Sequence, residues 1–134
     1  MRVGLVLDRP TGGRRLNALQ WFGLAGAPLA WAAMHVLGWA VSELGCAPGG
    51  GQLGLDARGL QIALTAAALA VWGLATASAL AVYRATRSEE EDPDPPVGRA
   101  HMIAVAALAV NAVFFCMILM VGISTSVETG CSRS

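Results

Sequence analysis

AHMIAVAALAVNAVFFCMILMVGI, residues 100–123, contains no charged side chain from one end to the other. A helix that crosses the hydrocarbon core of a bilayer needs about 20 consecutive apolar residues. At 1.5 Å per residue this run reaches ~36 Å, enough to cross with some tilt. Two further stretches read the same way: residues 21–44 hold no charge before Glu43, and residues 60–83 hold none. Three helices that are apolar all round leave nothing amphipathic in a 134-residue chain to shield them from water. The expected fold is therefore all-α, a bundle of three transmembrane helices whose first partner is the lipid bilayer.

Composition agrees. The chain is 55% hydrophobic and 13% charged, where a soluble domain carries about 25% charged residues. Its formal net charge of zero gives no reason to expect a nucleic-acid partner. Between the apolar runs the sequence turns polar. Residues 1–20 contain Arg2, Asp8, Arg9, Arg14 and Arg15, with Thr11, Gly12 and Gly13 expected to break any helix there. Residues 45–59 read as a Gly-rich loop, residues 84–99 as an acidic, Pro-rich tether around Glu89–Glu91, and residues 124–134 as a short polar tail. The first apolar run is longer than the 7–15 residues of a signal-peptide core, and it carries Trp21, Trp31 and Trp39, so a retained helix is expected.

Arginine sets the expected orientation. With the N-terminus in the cytoplasm, Arg2, Arg9, Arg14, Arg15, Arg84, Arg87 and Arg99 lie inside, and only Arg58 and Arg133 lie outside. The C-terminus is then external, the 84–99 loop cytoplasmic, and Cys46 and Cys131 share the outer side, where disulfides persist. A Cys46–Cys131 bridge is expected there, set against the alternative of two free thiols. In the chain-entropy view it contributes on the order of 2–4 kcal/mol. Cys116, in mid-span, reads as packing.

The side chains with chemical potential are few. Trp31, His35 and Trp39 repeat every four residues and so share a helix face. His35 lies roughly 21 Å along the helix from Trp21, and an ionisable group at such depth is a functional-site candidate. The plainer reading is a neutral imidazole hydrogen-bonded to another helix or to a partner subunit. As a haem ligand His35 is a weak candidate: His101 sits at the opposite end of its span, a depth difference of roughly 20 Å. No cofactor and no metal site are expected. Asn111, in mid-span, wants an amide partner such as Thr65, Thr76 or His35. Pro28 is expected to kink the first helix and free the carbonyl of Leu24. On the second helix Ala63, Ala67, Ala70, Gly73, Ala77 and Ala81 form a small-residue surface for packing, either in the bundle or against a partner. No nucleophile–base pair, phosphate loop or acidic pair occurs, and an enzyme is not expected.

The run from Trp21 to Trp31, WFGLAGAPLAW, followed by Gly38, Trp39, Glu43 and Cys46, resembles a group of small three-helix membrane proteins that accompany bacterial haem-copper cytochrome c oxidases. The resemblance spans about 30 residues and extends beyond them only in hydropathy. It implies a multi-pass protein of the bacterial inner membrane. Its role would be a non-catalytic accessory or structural subunit of a respiratory complex, packed against larger subunits by the small face of helix 2 and the aromatic face of helix 1. Two other expectations stand beside it: an assembly factor holding haem or metal through His35, and a small self-associating transporter using His35 or Glu43.

Overall fold

The computed structural model describes residues 10–46, 56–87 and 95–127. They form three helices: α1, Pro10–Cys46; α2, Ala57–Thr86; and α3, Pro95–Val127. Each is long and apolar enough to cross a membrane, and α3 is the most apolar. The chain is thus an all-helical, multi-pass membrane protein.

The helices outrun the apolar stretches at both ends. Thr11, Gly12 and Gly13, expected to interrupt, lie inside α1. Pro10 occupies the first helical position, where its missing N–H costs nothing, and a nucleated helix propagates through glycines at about 1 kcal/mol each. Gly45 and Cys46 belong to α1 rather than to a loop. At the other side of that connection Asp56 caps α2, its carboxylate accepting from the Gly59 amide at 3.1 Å. Pro95 opens α3 as Pro10 opens α1. The 37 residues of α1 extend about 55 Å, well beyond a ~30 Å hydrocarbon core, so its ends reach past the lipid tails.

Successive helices run antiparallel. Gly23 lies against Ala79, Gly26 against Ala75, and Gly38 against Gln61, which sets the register of α1 on α2. Gly122 lies against Thr65, while Thr86 meets His101, which sets α2 on α3. One end of the bundle is closed by Val82, Ala100 and Ala104 with Leu16 and Tyr83. Further along, Met34, Ala68 and Ile118 pack with Trp31, Leu64 and Trp72. This up-down-up course gathers the exposed Arg14, Arg15, Arg84, Arg87 and Arg99 at one end, with Arg58 at the other.

Candidate functional site

The bundle is welded at three levels by polar groups, at two of them through bonds to helix backbones and at the third through a bond between side chains. At the level of Gly38, the buried Gln61 donates from Nε2 to the Gly38 carbonyl at 2.9 Å and approaches the Ser42 hydroxyl at 3.4 Å. A Cβ on Gly38 would sit 3.0 Å from Gln61 Oε1, so glycine makes room for this amide. Gln61 went unnoticed in the sequence because it lies at the start of a run that holds no charge.

At mid-depth Asn111 is 1% exposed. Its Nδ2 donates to the Gly23 carbonyl at 3.1 Å, so its partner is the backbone of α1 and not Thr65, Thr76 or His35. The reason is access: Gly23 has no side chain, and its carbonyl keeps a second lone pair after serving the helix. The Trp72 indole N–H donates to the Asn111 carbonyl at 2.8 Å, and its ring stacks on Phe115 at 4.5 Å. Asn111 therefore ties α3 to α1 through its side chain and to α2 through its backbone. Among the described residues three buried side-chain polar atoms have no hydrogen-bond partner: Asn111 Oδ1, Thr76 Oγ1 and Trp31 Nε1.

At the arginine-rich end the Thr86 hydroxyl lies 3.0 Å from the Val82 carbonyl of its own helix. It also lies 3.0 Å from His101 Nδ1, a hydrogen bond across helices whose direction follows the imidazole tautomer. The ring of Tyr83 lies tilted against the same imidazole, centroids 5.2 Å apart. His101 is thus a structural link between α2 and α3, at the opposite end of the bundle from Gln61.

His35 points out of the bundle. It is exposed, stacked on Trp31 with centroids 5.4 Å apart and an interplanar angle of 20°, and its ring makes no hydrogen bond to any described residue. Phe114 holds the edge of Trp31 at 5.7 Å. The shared face of Trp31, His35 and Trp39 is therefore only rooted in the bundle: Trp31 is half-buried, while Trp39 is 67% exposed. Pro28 sits half-buried within a continuous α1 and has no N–H to give the Leu24 carbonyl. Gly73 and Ala77 take no part in the internal seam: a Cβ on Gly73 would meet nothing within 4 Å, and Ala77 is exposed. The small residues of α2 that receive Gly23 and Gly26 of α1 are Ala79 and Ala75, and Ala57 lies against Gly45.

Cys116 is free and faces outward rather than packing inside. Cys131 and the side chain of Cys46 lie outside the described residues, as do the acidic residues of 88–94. Among the described residues no group of three His, Cys, Asp or Glu side chains converges.

These features define a small three-span membrane protein whose polar groups join helices to one another. Comparisons with protein-family models, with characterised proteins and with solved structures find no match to this chain.

Proposed function

We propose that the protein is a non-catalytic accessory subunit of a larger membrane complex, a bacterial respiratory oxidase of the haem-copper class. One observation carries the reading. α2 has small residues on both sides: Ala75 and Ala79 receive α1, while Ala63, Ala67, Ala70, Ala77 and Ala81 form a second, exposed ridge, interrupted by Leu74. Contact with lipid tails alone requires no such ridge, whereas small residues let another helix approach closely. The resemblance of residues 21–46 to the companions of haem-copper oxidases supplies the identity of the complex. The arginines gathered at one end support a cytoplasmic N-terminus and an external C-terminus in the inner membrane.

Affinity purification of the tagged chain from native membranes in a mild detergent tests this. Oxidase subunits are expected to co-purify, and Ala70→Leu with Ala77→Leu is expected to release them while leaving the bundle folded. A chain that emerges alone from mild detergent refutes the reading. A reporter active only outside the cytoplasm, fused to the C-terminus, is expected to be active.

A further inference from the structure

We propose that two copies of this chain pair in parallel through α1, along a seam centred on His35, with each imidazole hydrogen-bonded to its equivalent. The proposal stands on a different helix from the ridge of α2 and does not rest on the accessory-subunit reading.

The starting point is the surroundings of His35. It is exposed on a helix that spans the membrane, and no described residue accepts or donates a hydrogen bond to its ring. A polar group left unpaired in hydrocarbon is costly. The ring is also held in this outward position, because it stacks on Trp31 and Trp31 is braced by Phe114. The polar edge is thus presented to whatever lies alongside.

The pattern around His35 suits a parallel helix. Trp21, Ala25, Pro28, Ala32, His35 and Trp39 follow one another at alternating steps of four and three, the spacing that keeps one seam against a neighbouring helix. Ala25 and Ala32 are small and half-buried, so the backbones can come close, while Trp21 and Trp39 are 57% and 67% exposed and flank the contact.

The occupant follows from symmetry and from the chemistry of imidazole. All copies insert with one orientation, so their α1 helices meet parallel. A twofold axis along the membrane normal then places each seam residue opposite its own equivalent at the same depth. A neutral imidazole has one N–H donor and one bare nitrogen acceptor, so two rings meeting at the axis hydrogen-bond when one copy presents its N–H and the other, in the opposite tautomer, its bare nitrogen. The chain therefore carries both halves of the contact.

The full-length chain, carrying donor or acceptor fluorophores on an appended C-terminal tag and reconstituted in phosphatidylcholine vesicles, tests the proposal by energy transfer at varied protein-to-lipid ratio. Wild type is expected to show saturable transfer with the acceptor dependence of a dimer. His35→Leu is expected to weaken association about threefold. His35→Gln, which keeps a donor and an acceptor, restores it. Ala32→Leu, which thickens the seam without touching the imidazole, lowers transfer to the level of random proximity. Helical circular dichroism of each variant confirms the fold. Transfer in wild type no greater than random proximity overturns the proposal, as does equal association of wild type and His35→Leu. Gln at position 35 behaving like Leu, or Ala32→Leu associating like wild type, also overturns it.

Discussion

A methyl group added at Gly26 would lie 2.9 Å from the Cβ of Ala75, closer than carbon atoms tolerate, whereas one added at Gly73 would meet nothing. The two glycines thus answer one substitution with opposite signs. Gly26→Ala is expected to destabilise the bundle by about 1–3 kcal/mol, the usual cost of forcing atoms into a packed site. Gly73→Ala is expected to stabilise it by about 0.5–1 kcal/mol through helix propensity alone. Unfolding equilibria in detergent micelles measure both. Asn111→Ala loses the bond to the Gly23 carbonyl and is expected to cost about 1 kcal/mol by the same measurement. Residue-level roles were the least legible part of the sequence. Asn111 stood out because an amide in mid-span needs a partner, but that its partner is a backbone carbonyl depends on Gly23 lying opposite, which only the assembled bundle reveals.

The spans themselves were legible because their signal is local: a run too apolar for water is a helix in lipid wherever its neighbours lie. Their faces were not. Lipid tails are as apolar as a protein interior, so the hydrophobic pattern that marks the inner side of a soluble helix is absent from a membrane helix. On α2 the exposed ridge of Ala70 and Ala77 and the internal pair Ala75 and Ala79 look alike in sequence. A better signal was the close glycine pair of α1, Gly23 and Gly26, which meets that internal pair. Between α2 and α3 one link is the Trp72 indole on the Asn111 carbonyl. Trp72→Phe keeps a ring to stack on Phe115 but removes the N–H. It is expected to cost about 1 kcal/mol and to lower the thermal midpoint in detergent while leaving helix content unchanged by circular dichroism.

As a whole the molecule exposes large apolar side chains on every helix, among them Leu29, Leu74 and Met120, at levels no water-soluble fold of this size sustains. The purified chain is expected to stay monodisperse only in detergent or lipid, and to precipitate when detergent is removed, as size-exclusion chromatography will register. The tie between Asn111 and Gly23 joins the third helix to the first, positions 88 residues apart. On the ribosome the acceptor is made long before its donor. The first two helices can pair by their glycines and alanines as soon as both have entered the bilayer, but the amide clasp closes only when the last span arrives. A nascent chain halted before that point would offer cellular quality control an unfinished pair, with the surface meant for the third helix still bare.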